Sequence, residues 1–103
     1  MMLLSPAADR QRSALVRYYF KLGRGEAIEG LAAVLERASA RFETGRGLFY
    51  DAPRPYPGLC RAGWRWTKEG RYWIAFGAGS GVILAIYYDS SNIPGRIPRN
   101  GAR

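Results

Sequence analysis

With 103 residues the chain has room for one domain, and one of this size buries roughly two-thirds of the surface its unfolded form exposes, enough for a core without covalent staples. Hydrophobic residues at 48% and aromatics at 14% exclude an intrinsically disordered chain. Sixteen Lys and Arg against eight Asp and Glu leave +8, and 14 of the 16 cations are arginine, which favours forked and stacking contacts with an acidic partner.

"MLL" before "SPAAD" reads as a short opening strand feeding a helix, with Ser5 as N-cap, Pro6 at the first helical position and Asp9 near the positive end of the dipole. That helix is expected to run to about Leu22, with Leu15, Tyr18, Tyr19 and Leu22 on one face, and "GRG" at Gly23 to Gly25 breaks it. A second helix follows, in which Ile28, Leu31, Leu35, Ala38 and Phe42 recur at steps of three and four while Glu29, Glu36, Arg37 and Arg41 fall largely off that stripe. So short a connection predicts an antiparallel helical hairpin.

"ETGRGLFYDAPRPYPG" is a long loop, either functional or connecting. Three strands are then expected. Cys60, Ala62, Trp64 and Trp66 alternate with Arg61, Gly63 and Arg65, and Tyr72, Ile74 and Phe76 alternate with Arg71, Trp73 and Ala75. "GVILAIYY" is apolar on both faces, as an inner strand would be, and "TKEG" and "GAGSG" are the hairpin connections. The order β-α-α-β-β-β predicts an α+β domain, a helical hairpin packed on one face of a small, mainly antiparallel sheet, with the arginines of the second strand on the other face. Residues 1–97 form that single domain and 98–103 a polar tail.

The chemistry open to such a chain is narrow. It has no histidine, the usual proton shuttle and commonest metal ligand, and Cys60 has no second cysteine with which to form a disulfide or a metal site. No P-loop or GxSxG occurs, the acids are scattered, and no cofactor or metal is implied. The apolar part of "MMLLSPAADR" is too short for a signal peptide, and "VILAIYY" is far below the roughly 20 residues of a membrane span. A soluble cytoplasmic protein with no membrane contact is the expectation. Arg61, Arg65, Lys68 and Arg71 lie near Trp64, Trp66, Tyr72 and Trp73, an interleaving of cations and rings suited to phosphates and bases, although a core strand with a solvated basic face gives the same pattern.

From about Leu4 to Ile97 the chain resembles the RelE/ParE superfamily of type II toxin–antitoxin toxins. "LSPAAD" matches the opening of the first helix, "GEAIEGLAAVLERASARFETGRG" the second helix and its exit, and "PGLCRAGW", "EGRYWIAF" and "VILAIYYDSSNIPGRI" follow in the family's order. The likeness lies in order and spacing, and no single motif is diagnostic. It implies a bacterial toxin with this α+β fold, silenced by an acidic antitoxin. RelE-like members cut messenger RNA on the ribosome without a metal; ParE-like members inhibit DNA gyrase by binding and so block replication.

Departures from the ribonuclease pattern favour the ParE branch. Trp73 stands where the ribonucleases carry an arginine, Ser90 and Ser91 where they carry a second, and nothing aromatic follows Tyr88. Of the basic residues on the second strand only Arg65 has a counterpart, though a gap in the alignment at "TKEGR" brings Arg71 to the first position. The resemblance therefore implies a gyrase-inhibiting toxin whose target- or antitoxin-binding residues are Arg61, Arg65, Lys68, Arg71, Trp73, Tyr88, Ile93, Arg96 and Ile97. The ribonuclease alternative would use Arg65, Arg71, Tyr87 and Tyr88, and a third reading is a non-toxic basic nucleic-acid-binding module.

Overall fold

The computed structural model describes residues 2–53 and 56–89. Ser90, Ser91, Ile93, Arg96, Ile97 and the tail 98–103 lie outside the described residues. Two helices, α1 (Pro6–Lys21) and α2 (Gly25–Thr44), precede a short 3₁₀ turn (Pro57–Leu59) and three strands, β1 (Trp64–Glu69), β2 (Tyr72–Gly77) and β3 (Ile83–Tyr88). The strands form one antiparallel sheet in the order β1-β2-β3, so the chain is a small α+β protein.

Local chemistry accounts for the helix limits. The Ser5 hydroxyl accepts from the Ala8 amide at 3.1 Å, Pro6 occupies the first turn, and Asp9 there pairs with Arg12 at 2.8 Å. Gly23 turns the chain with φ +67°, and Gly45 ends α2 at φ +71°, its amide reaching back to the Arg41 and Phe42 carbonyls. Gly70 (φ +60°) opens the two-residue Gly70–Arg71 loop between β1 and β2, a position that demands positive φ.

The α2 stripe packs as its period predicts. Leu31, Leu35 and Ala38 are buried, joined by Val34, and Ile28 and Phe42 pack at the margin against Tyr72, Ile74, Phe76, Ile83 and Ile86 of the sheet. The α1 stripe is only partly core: Tyr19 is buried and Leu15 half-buried, but Tyr18 and Leu22 are exposed.

Four sequence expectations are corrected. The opening strand is a single parallel bridge, Leu4 to Ile83. The first predicted strand begins at Trp64, not Cys60, and runs on to Glu69. The inner strand of the three is β2, not the apolar β3. β3 is apolar on both faces because both are covered, and a register shift at Ala75/Phe76 turns Ile83 and Ile86 alike towards the helices while Leu84, Ala85 and Tyr87 face the other way.

Finally, the arginines do not decorate an open face. Arg65 sits opposite Phe76, on the helix side, and the far face carries Trp64, Trp66, Trp73, Ala75, Ala85 and Tyr87. That face is covered by the long loop. Leu59 and Pro53 are buried, Tyr50, Ala52 and Tyr56 pack alongside, and Tyr50 exchanges two backbone hydrogen bonds of 2.7 Å with Trp66. Period-2 alternation separates two faces but does not say which of them the helices occupy.

The outer edge of β3 is closed by the chain's own N-terminal part. The Ile83 amide donates to the Leu3 carbonyl at 2.8 Å, and the Ser5 amide to the Ile83 carbonyl at 2.9 Å. One turn into α1, the Gln11 side chain accepts from the Ile86 amide at 2.8 Å and donates to the Tyr87 hydroxyl at 2.9 Å. Replacing Gln11 by Leu leaves a buried strand amide without its acceptor, which costs about 1–3 kcal/mol. Urea unfolding should show that loss, and the Ile86 amide should be among those whose hydrogen exchange accelerates most.

Candidate functional site

Between α1, α2 and the β2–β3 end of the sheet lies a cleft of about 1150 Å³. Its walls are small or apolar, with Ala14, Leu15, Ala27 and Val34 among them, and its floor is made by Tyr19, Tyr72, Ile86 and Tyr88. Four arginines line it: Arg10 from α1, Arg24 from the interhelical turn, Arg37 from α2 and Arg71 from the β1–β2 turn. Among the described residues no Asp or Glu lines it. Concave, low-dielectric walls concentrate the field of such a cluster, so the cleft is an electropositive trap for an anionic ligand.

The arginines differ in how far they are already engaged. Arg37 holds Glu69 at 3.0 Å, and Arg24 has a loose, exposed contact with Glu26 at 3.6 Å. Arg10 and Arg71 form no ion pair among the described residues. On the floor the Tyr19 and Tyr72 hydroxyls are hydrogen-bonded to each other, and the Tyr88 ring stands edge-on to Tyr72 at 5.5 Å between centroids. Burial pushes the Tyr72 hydroxyl well above the ordinary tyrosine range, helped by its bond to Tyr19 and opposed by the Arg24 charge.

The residues singled out by sequence do not assemble into one site. Arg61 bonds the Gly58 and Cys60 carbonyls, and Arg65 grips Asp51 at 2.6 Å and the Phe49 carbonyl at 3.3 Å, tying the long loop to β1. Lys68 is at the opposite end of β1, paired with Asp89 at 3.1 Å. Trp73 is only 3% exposed, so it is a core ring under the loop rather than a contact surface. Arg71 and Tyr88 do reach the cleft.

The ribonuclease set converges only in part: Arg71, Tyr87 and Tyr88 line the cleft, and Arg65 does not. Arg65 and the turn that carries Arg71 are separated by the four strand steps from Arg65 to Glu69, roughly 13 Å at strand rise. Tyr87 is buried and stacked on Trp66 on the loop-covered face, its hydroxyl reaching round the edge to Gln11, whereas the Tyr88 ring lies on the helix face. Arg10, Arg24, Arg37 and the tyrosine pair were not among the residues read from sequence as a site. The signal that could have found them is weak: the acid-poor first helix, with Arg10, Arg12, Arg17 and Lys21 against a single Asp9.

Among the described residues no cluster of His, Cys, Asp and Glu could hold a metal ion, and no helix is long and apolar enough to cross a membrane. No protein-family model, curated protein or solved structure matches the chain.

The raised Tyr72 hydroxyl sets a pH limit. A proton held more tightly in the folded than in the unfolded chain contributes stability that is fully present below the unfolded value, 10.0, and is lost as pH rises towards the folded one. Thermal stability should therefore fall steeply above pH 10.0, and the Tyr72→Phe variant should show a shallower fall in the same buffers.

Proposed function

We propose that the protein is a ParE-like toxin that acts by binding, with DNA gyrase as its target and an acidic antitoxin as its neutralising partner. The observation that carries this reading is the acid-free cleft ringed by Arg10, Arg24, Arg37 and Arg71 over an aromatic floor. Such a cleft suits an acidic partner with an apolar stripe. The α+β arrangement agrees with the resemblance from sequence. The place of Arg65, away from the cleft that Arg71, Tyr87 and Tyr88 line, weighs against the metal-independent ribonuclease, because charge stabilisation at a reacting phosphate needs its donors within hydrogen-bond reach of one point.

Two measurements test the proposal. Induction of the chain alone should arrest growth and produce filaments, and co-expression with the small gene next to its own should restore division. Purified protein at micromolar excess should block gyrase supercoiling and accumulate cleaved DNA. Unchanged gyrase activity together with cuts in translated messages would favour the ribonuclease instead. Salt-dependent DNA or RNA binding with harmless expression would favour the non-toxic binding module.

A further inference from the structure

Among the described residues five large hydrophobic side chains are exposed, and three of them crowd the end of α1. Tyr18, Phe20 and Leu22 are 58%, 77% and 52% exposed. Tyr18 and Leu22 line the cleft, so the acidic partner proposed above would cover them. Phe20, the most exposed of the five, does not line the cleft and stays in water. Clustered apolar surface of this kind marks a contact with another molecule.

The surroundings give the charge of that molecule. From Arg10 to Gly25 the chain carries five cations and no acid. Arg17, Lys21 and Arg24 bracket the three apolar residues, and the nearest acids in sequence are Asp9, Glu26 and Glu29. Arg17 and Lys21 form no ion pair among the described residues, and Arg24 has only its loose contact with Glu26. Such a collar complements an anionic surface.

The shape of the tip decides which anionic surface. Phe20 to Glu26 are exposed without a break, and a side chain built at Gly23 or Gly25 would meet nothing within 4 Å. The interhelical turn is therefore a projecting tip. Two positions apart on a helix, Tyr18 and Phe20 point roughly 160° away from each other at about 100° per residue. A protein or nucleic acid laid along one side of α1 covers one ring and misses the other. A fluid surface entered tip first surrounds both. The backbone suits such entry, because the Leu22, Gly23 and Arg24 amides donate to the Tyr18, Phe20 and Tyr19 carbonyls. Leu22, moreover, offers no ring on which a base would stack.

We propose that the α1–α2 tip is a peripheral docking element for an anionic lipid bilayer. Phe20 and Leu22 enter the interface, and Arg17, Lys21 and Arg24 contact the lipid phosphates. Docking of this kind needs no spanning helix, and among the described residues none is present. The proposal does not depend on the toxin reading, and it revises the expectation of no membrane contact drawn from sequence.

The test is co-sedimentation of the whole chain with phosphatidylcholine vesicles, with and without about a third of phosphatidylglycerol. Binding should appear on the mixed vesicles, weaken with salt, and be about tenfold weaker or worse on phosphatidylcholine alone. Phe20→Ser should lose roughly tenfold, whereas Leu48→Ser, at a comparably exposed position outside the tip, should lose nothing. R17Q/K21Q should lose about twentyfold, at about fivefold for each cation. In F20W, brominated lipid should quench an added indole signal, while the buried and half-buried tryptophans of the wild type keep theirs.

Absence of binding to the mixed vesicles would overturn the proposal. Equal losses in F20S and L48S, or an F20W signal untouched by brominated lipid, would also overturn it by reducing the contact to loose charge attraction. A dimer in solution that F20S converts to a monomer would assign the tip to a second copy instead. Tighter, Phe20-dependent binding of a single-stranded oligonucleotide at equal salt would assign it to nucleic acid.

Discussion

Burial of β2 on both faces is the constraint around which the molecule is arranged. Tyr72, Ile74 and Phe76 point to the helices, Trp73 and Ala75 to the other side, and all five are buried. An antiparallel sheet in a small α+β protein commonly leaves one face to water. Here the second face carries three tryptophans, and each large side chain left in solvent would forgo roughly 1.5–3 kcal/mol. A second cover is therefore required. With both helices on the first face, the described residues that supply it come from the loop between α2 and β1.

That requirement decides what the charged residues do. Arg65 ties the cover down through Asp51 and the Phe49 carbonyl, and Arg41 is held between Glu69 at 2.8 Å and the Thr67 hydroxyl at 3.1 Å. Cations that look like a ligand-binding row along β1 are thus fasteners between layers. The arginines left for other work include those around the helical cleft, of which Arg10 and Arg71 form no ion pair among the described residues. Closure of the β3 edge by Leu3, Ser5 and Gln11 narrows the options further, because it leaves the cleft between the helices as the concave surface next to that edge.

The fold was legible wherever one residue sufficed to state a local rule. Ser5 and Pro6 marked the start of α1, the steps from Ile28 to Phe42 marked the buried side of α2, and "TKEG" marked the first hairpin, although Thr67 to Glu69 belong to β1 and only Gly70 lies in the turn. Legibility ended where the outcome depended on which layer covers which face. Alternation placed Trp66 and Arg65 on opposite sides of β1 but could not tell that the tryptophan side lies under a loop and the arginine side under helices. The double-sided apolarity of β3 pointed to an inner strand because a strand covered on both faces reads the same whether or not it has neighbours on both edges. The cleft was illegible for a related reason: Arg10, Arg24, Arg37 and Arg71 come from four separate elements or turns, and only the packing of α1 beside α2 brings them to one rim. Tyr19 and Tyr72, 53 positions apart, meet for the same cause.

If the cleft is the surface through which the protein acts, a partner must protect it and little else. The most direct measurement is amide hydrogen exchange of the chain with and without the acidic partner proposed above, read residue by residue. The account predicts new protection confined to the inner sides of α1 and α2, the Gly70–Arg71 turn and the end of β3 at Tyr87 and Tyr88. The loop from Phe49 to Leu59 and the outer edge of β1 should exchange at unchanged rates. Protection centred on that loop and β1, with the cleft unaffected, would contradict it.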